Sequence, residues 1–276
     1  MTYGTSIEPV FVGGLMRSGT TLTRVLLSQH PSLYGTLETH WFTPPVREGW
    51  GNANGRRIQL LRDLVPLSDS EYAALYAEKT ATPEREFIDI VMAFAAQRDG
   101  KPRWIDKTPD NIANFSLIGT IWERPRLVHV TREYKDVFAS WKHKRDDTLT
   151  TFLAKVETAY DDVRDRLGTT DADYLEIDYE ALVFDTKTEM QRAITFLGET
   201  WDPRCESINL TKTQSERQRV RRALGQDNIA AAELTNPISA DSVGQWRELL
   251  SAHEAREIDR ALAPLYDIFG ERWRFA

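Results

Sequence analysis

Residues 9–22 read Pro9-Val10-Phe11-Val12-Gly13-Gly14-Leu15-Met16-Arg17-Ser18-Gly19-Thr20-Thr21-Leu22. The apolar run Val10-Phe11-Val12 suits a buried strand, and the glycine pair after it predicts a tight turn. A helix is predicted over 18–29, with Leu22, Val25, Leu26 and Gln29 sharing one face. Gly14 and Gly19 stand at the spacing of the phosphate-binding loop G-x-x-x-x-G-K-[ST], but Thr20 occupies the lysine position. Glycines let the backbone approach an anion, and the N–H groups opening the next helix point at it with the helix dipole behind them. The stretch therefore reads as an anion cradle in which Arg17 supplies the cation. The competing reading is a glycine-rich turn that only joins strand to helix. Without the lysine that reaches terminal phosphates, the loop is a poor kinase or NTPase loop.

Outward from this stretch, strands and helices alternate. Further strands are predicted over 33–36, 103–105, 126–131 and 174–177, and helices over 84–98, 134–144, 152–167, 186–197 and 241–262. This rhythm predicts an α/β fold: a single domain over 1–276 with a central parallel sheet flanked by helices. Ligands of such sheets bind outside the carboxyl ends of the strands, so residues just after each strand are the first candidates for function. Two segments read as mobile loops: Pro44 to Asn54, and the polar, arginine-rich 211–236.

The chain has 276 residues, long enough to bury a core without a disulfide or metal staple. Its one cysteine, Cys205, excludes an intramolecular disulfide and a cysteine-based zinc site. A net charge of −7 argues against a general nucleic-acid binder, while leaving room for a local basic pocket. No stretch approaches the ~20 apolar residues of a membrane helix, and residues 1–9 lack the pattern of a secretory signal. The expectation is a cytoplasmic protein with no nucleic-acid or membrane partner; its oligomeric state is left open.

Residues 9–22 resemble the 5′-phosphosulfate loop of sulfotransferases that use 3′-phosphoadenosine 5′-phosphosulfate (PAPS). Arg17 before Ser18-Gly19-Thr20-Thr21 is closer to the tyrosylprotein and bacterial branches than to the cytosolic hormone and phenol enzymes. The resemblance covers about residues 8–260. It implies a P-loop-containing nucleoside triphosphate hydrolase-like fold, PAPS as co-substrate, and Arg17, Ser18, Gly19, Thr20 and Thr21 around the 5′-phosphosulfate. After the strand 126–131 come Arg132 and, eight residues on, Ser140, a spacing similar to the family's 3′-phosphate motif. An arginine fork and a hydroxyl are sound phosphate ligands. By the same resemblance Lys144 contacts the nucleotide and Tyr179 packs near the adenosine; the plainer reading of Tyr179 is a core-edge tyrosine at a helix start.

Sulfuryl transfer needs positioning, charge stabilisation and a base near the acceptor hydroxyl. The resemblance places Glu38 as that base, twenty-one residues after Arg17 and beyond a His30-Pro31 turn. His40 is the rival, because an imidazole titrates nearer neutrality. Lys107 falls where the family carries a lysine that stabilises charge on the bridging oxygen, and Asp106 is read as its ordinary partner. Pro109 stands where cytosolic enzymes have a catalytic histidine, which removes the usual imidazole base. Catalytic roles are thus expected for Glu38, Lys107 and Arg17, with no metal.

The segment 212–222 carries five basic residues, Lys212, Arg217, Arg219, Arg221 and Arg222, against Glu216, and falls where sulfotransferases fold a loop over the nucleotide. Asn236 replaces a lysine of the tyrosylprotein enzymes, and Ser242 to Arg247 resembles the bacterial members' C-terminal helix, with Trp246 read as core packing. Trp41, Phe42 and Trp50 could wall an aromatic acceptor pocket or lie in the core. The expected reaction is sulfuryl transfer from PAPS to a small-molecule or natural-product hydroxyl. The alternatives are a tyrosylprotein-like activity on a peptide, a P-loop small-molecule kinase, and an inactive nucleotide-binding module.

Overall fold

The computed structural model describes residues 8–36, 38–42, 68, 70, 73–74, 84–145, 148–166, 173–209 and 237–273. Strands β1 (Val10–Gly14), β2 (Leu33–Gly35), β3 (Arg103–Lys107), β4 (Arg126–Thr131) and β5 (Tyr174–Asp178) form one sheet in the order β2-β3-β1-β4-β5. Every pairing is parallel, with Val12 opposite both Lys107 and Val128.

Parallel strands of this kind are covered on both faces, so they read as continuous apolar runs rather than alternating ones. Along β1, Val10 and Val12 join Ile105, Val128, Val130 and Ile177 in one core, while Phe11 joins Trp104 and Leu127 in the other. The helices in chain order are α1 (Thr20–Leu27), α2 (Glu84–Arg98), α3 (Phe115–Ile121), α4 (Tyr134–Arg145) and α5 (Leu149–Asp161). They continue with α6 (Tyr179–Phe184), α7 (Thr186–Phe196), α8 (Trp246–Leu249), α9 (Ala252–Ala261) and α10 (Ala263–Trp273). Helices α1, α6 and α7 cover the first face through Leu26, Leu27, Leu182, Met190 and Ile194. The second is covered through Ile88 and Met92 of α2, Phe115 and Ile118 of α3, Val137 and Phe138 of α4, Phe152 of α5, and Ile258 and Phe269 further on. The result is the expected three-layer α/β domain.

Strands β2 and β3 lie on one side of β1, and β4 and β5 on the other. Neighbouring connections therefore leave β1 and β4 in opposite directions, which opens a crevice beyond their carboxyl ends. No helix among the described residues is long and apolar enough to cross a membrane.

Helix α1 starts at Thr20 rather than Ser18, because Arg17 (φ 76°) and Gly19 (φ 102°) keep the chain in a left-handed loop until then. The helix predicted over 152–167 runs Leu149–Asp161, capped by Thr148, and gives way to a 3₁₀ turn at Arg164–Arg166. The single helix predicted over 241–262 is two: Leu250 is extended (ψ 145°), and Ser251 and Glu254 form a capping box that starts α9. The loops predicted at 44–54 and 211–236, with Trp50, the basic run 212–222 and Asn236, lie outside the described residues.

Candidate active site

The site is assembled at the carboxyl ends of the strands. Gly14 ends β1 so close to β4 that a Cβ there would come within 2.5 Å of the Val130 carbonyl oxygen. Gly19 is left-handed, and a Cβ on it would lie 2.4 Å from the Tyr179 ring. Both positions therefore demand glycine. With Arg17 also left-handed, the loop has the conformation in which successive backbone N–H groups can form a concave nest. Thr20, Thr21 and Leu22 lie in the first turn of α1, where N–H groups have no acceptor within the helix. Ser18 Oγ is buried and has no hydrogen-bond partner among the described residues. Beneath the loop, Trp141 Nε1 donates to the Met16 carbonyl at 2.6 Å and fixes its height over α4.

Arg17, placed by sequence at the 5′-phosphosulfate, reaches sideways: its Nε donates to Ser140 Oγ at 3.0 Å. The two motifs singled out in the sequence thus meet. Burial lowers the Arg17 guanidinium below its ordinary value, with Tyr179 opposing. Arg132 donates from Nη1 to the Arg17 carbonyl (3.0 Å) and from Nη2 to the Ser242 carbonyl (2.7 Å), and its guanidinium lies 4.3 Å from the centre of the Tyr179 ring. Arg132 Nε is buried without a hydrogen-bond partner among the described residues. The Tyr179 hydroxyl and Ser242 Oγ share a hydrogen bond of 2.6 Å. Lys144 lies near the end of α4, and its side chain is outside the described residues.

At the ends of β2 and β3, Lys107 Nζ donates to Glu38 Oε1 at 2.6 Å and to Thr21 Oγ1 at 3.1 Å. His40 Nε2 lies 3.4 Å from Glu38 Oε2. Burial would raise the Glu38 carboxyl, but the Lys107 ammonium and the hydrogen bond from His40 outweigh it and hold the group far below the usual carboxylate range. Burial pulls the Lys107 ammonium down; Glu38 opposes this and the nearby Arg24 charge reinforces it. The rival bases are therefore not alternatives in space: one carboxylate bridges Lys107 and His40. His40 also holds a left-handed backbone (φ 55°).

Asp106 is not the partner of Lys107 that the sequence suggested. It is fully buried, accepts from Thr39 Oγ1 (2.6 Å) and Asn111 Nδ2 (2.9 Å), and burial raises its carboxyl. Thr108 Oγ1 accepts from the main-chain N–H groups of Thr39 and His40 at 3.2 and 3.1 Å. Asp106, Thr108 and Asn111 thus hold the turn that carries Glu38 and His40, a supporting role that sequence reasoning missed. A polar run directly after a buried strand was the available signal. Trp41 and Phe42 are core residues rather than an acceptor wall: both are buried, and Phe42 meets Phe11 and Trp122 edge to face. Trp246 is half-buried, with Lys135 Nζ 4.4 Å from its ring centre. Among the described residues, no group of three or more His, Cys, Asp or Glu side chains is arranged to hold a metal ion.

The chain is thus a parallel α/β protein whose glycine loop after β1 has Thr20 at the lysine position of the kinase and NTPase loop, and which carries Arg132 and Ser140 after β4. The sequence model of the Sulfotransferase family matches residues 9–203, and the chain belongs to that family. Among solved structures, the fold is similar to the sulfotransferase domain of the Synechococcus PCC 7002 olefin synthase, with a TM-score of 0.65 and 21% identity over 94% of this chain and 95% of that one. It is also similar to the sulfotransferase domain from the curacin biosynthetic pathway, with a TM-score of 0.61 and 16% identity over 94% and 98% of the two chains. The sequence is 22% identical over 272 residues to Protein-tyrosine sulfotransferase A of Caenorhabditis elegans; the match covers 93% of this chain and spans 65% of that protein.

Proposed function

We propose that the protein transfers the sulfuryl group of PAPS to a hydroxyl acceptor. The observation that carries this reading is the meeting of the two motifs, Arg17 Nε on Ser140 Oγ with Arg132 on the Arg17 carbonyl, beside a loop that lacks the kinase lysine. The residues fit the nucleotide: Ser18 Oγ and Arg132 Nε are buried groups without partners among the described residues, and Tyr179 offers a ring face against the glycine loop. Loop N–H groups with Ser18, Gly19, Thr20 and Thr21 would hold the 5′-phosphosulfate. Arg132, Ser140 and Arg17 would hold the 3′-phosphate, with Lys144 and Tyr179 completing the nucleotide site.

When bound, the donor supplies the sulfuryl group and a phosphate leaving group. The reaction breaks the bond from sulfur to the phosphate oxygen and forms one to the acceptor oxygen. Lys107 offers its ammonium to the oxygen that takes up charge, and Glu38 takes the acceptor hydroxyl's proton. While Lys107 is bonded to Glu38 the carboxylate is a weak base. Drawing the ammonium toward the leaving oxygen releases it and raises its basicity.

The test is calorimetry with 3′,5′-ADP against ATP–Mg²⁺. Binding of 3′,5′-ADP in preference is expected, and tight binding of ATP alone would overturn the reading. Arg132→Ala is expected to weaken 3′,5′-ADP by at least about tenfold while moving 5′-AMP by about twofold or less, since charge-assisted hydrogen bonds to a phosphate are lost. Equal losses would refute the 3′-phosphate assignment.

For the acceptor we propose a small-molecule alcohol or phenol, because a chain of net charge −7 is poorly suited to acidic tyrosine peptides. A tyrosyl peptide is the second reading, favoured by the likeness to Protein-tyrosine sulfotransferase A. Labelled PAPS with panels of alcohols, phenols and tyrosyl peptides separates the two.

A further inference from the structure

Asp136 stands in the first turn of α4, between Arg132 and Ser140 in the chain, and is 1% exposed. A carboxylate this deeply buried is costly unless hydrogen bonds satisfy it. This one is committed to main chain from the far end of the sequence. Its Oδ2 accepts from the Gly244 N–H at 2.7 Å and its Oδ1 from the Trp246 N–H at 2.9 Å. Gly244 is left-handed (φ 78°) and turns the chain between the two sides of this clasp.

Two residues before Gly244, Ser242 meets the candidate nucleotide site with both its polar groups. Its carbonyl accepts from Arg132 Nη2 at 2.7 Å, and its hydroxyl shares the 2.6 Å bond with Tyr179. With Nη1 on the Arg17 carbonyl, both ends of the Arg132 fork are tied to main chain and its plane is set over the Tyr179 ring. Arg132 therefore gives up its rotamer freedom on folding rather than on binding, which favours affinity.

We propose that Asp136 is a positioning residue for 3′-phosphate recognition: it latches residues 242–246 onto α4, and through Ser242 sets the orientation of Arg132 and Tyr179. This rests on the assignment of Arg132 to the 3′-phosphate. It makes the C-terminal segment part of donor selectivity through main-chain contacts, in a chain whose side chains there are not basic.

The experiment is calorimetry of the full chain and its Asp136→Asn and Gly244→Ala variants with 3′,5′-ADP and with 5′-AMP, alongside steady-state kinetics with PAPS. Asp136→Asn puts an amide N–H against a main-chain N–H, so affinity for 3′,5′-ADP is expected to fall about tenfold, with 5′-AMP changed by about twofold or less. The KM for PAPS should rise in step while kcat at saturation holds. Gly244→Ala strains the clasp without touching Asp136 and should show the same signature more weakly; it carries the test alone if Asp136→Asn does not fold. Parallel loss of both nucleotides would mean that Asp136 only supports the fold, and unchanged discrimination would mean that the latch does not act on Arg132; either overturns the proposal. A wild-type chain that does not distinguish 3′,5′-ADP from 5′-AMP overturns the 3′-phosphate assignment and the latch with it.

Discussion

Glu38 is held between an ammonium and an imidazole, and its behaviour depends on which of them stays. Glu38→Gln is expected to lower turnover by about 10²–10⁴-fold while affinity for 3′,5′-ADP stays nearly unchanged, measured by initial rates and calorimetry. Retained activity in Glu38→Gln, with activity lost in His40→Ala, would transfer the base to His40. The folded carboxyl lies below its unfolded pKa of about 4.3, so its ion pair stabilises fully above that value and is lost as pH falls toward the folded one. Urea denaturation of wild type and Glu38→Gln should show a constant gap from pH 7 to about pH 5 that narrows below about pH 4.5. A gap unchanged down to pH 3 would show that the pair contributes nothing. Gly19→Ala tests the loop: its Cβ would fall 2.4 Å from the Tyr179 ring at φ 102°, so loss of at least about 1 kcal/mol of stability and weakened nucleotide binding are expected. Resemblance nominated Glu38, Lys107 and Arg17. Their partnerships were not legible, because Arg17 and Ser140 are 123 residues apart and no local window contains both.

At the scale of elements, the strands and the longer helices are legible because each carries its own pattern: continuous apolar runs for doubly covered strands, one apolar face for α2 and α4. The short elements are not. Helix α6 begins directly where β5 ends, with Asp178 accepting from the Ala181 N–H, so its six residues show no period of their own. The break between α8 and α9 was legible in Ser251-Ala252-His253-Glu254, a capping-box signature that the continuing apolar period obscured. Ser251→Ala is expected to lower stability by about 0.5–2 kcal/mol, read by thermal denaturation, with donor binding unaffected. A change below about 0.3 kcal/mol would mean that packing alone starts α9, since cap losses are normally larger.

Over the whole molecule, the sheet has two chemically different ends. At the amino end the Glu8 carboxylate pairs with Arg103, Arg124 and Arg126, with the nearest contacts at 2.8 and 3.0 Å, and Glu199 adds a second partner to Arg103 at 3.3 Å. At the carboxyl end Arg17, Lys107 and Arg132 are gathered instead around the loop after β1. A chain of net charge −7 therefore still brings three cationic side chains to the candidate site. Between the ends, Phe11 lies under β1 against Phe42, Trp104 and Trp122, with ring centres 5.9, 5.4 and 4.9 Å away. Phe11→Ala is expected to cost about 3–5 kcal/mol, seen as a lowered denaturation midpoint, because the rigid rings around it leave a cavity. A loss under about 1 kcal/mol would mean that the aromatic cluster closes over the gap. By itself, the sequence determined the loop chemistry, the missing lysine and the α/β alternation, since these depend on neighbours a few residues apart. Only the tertiary structure decided that Trp41 and Phe42 belong to the core, that Glu38 bridges Lys107 and His40, and that Asp136 holds the segment at Ser242. Those outcomes depend on the order of strands in the sheet, which brings distant residues to one edge and is settled by long-range packing.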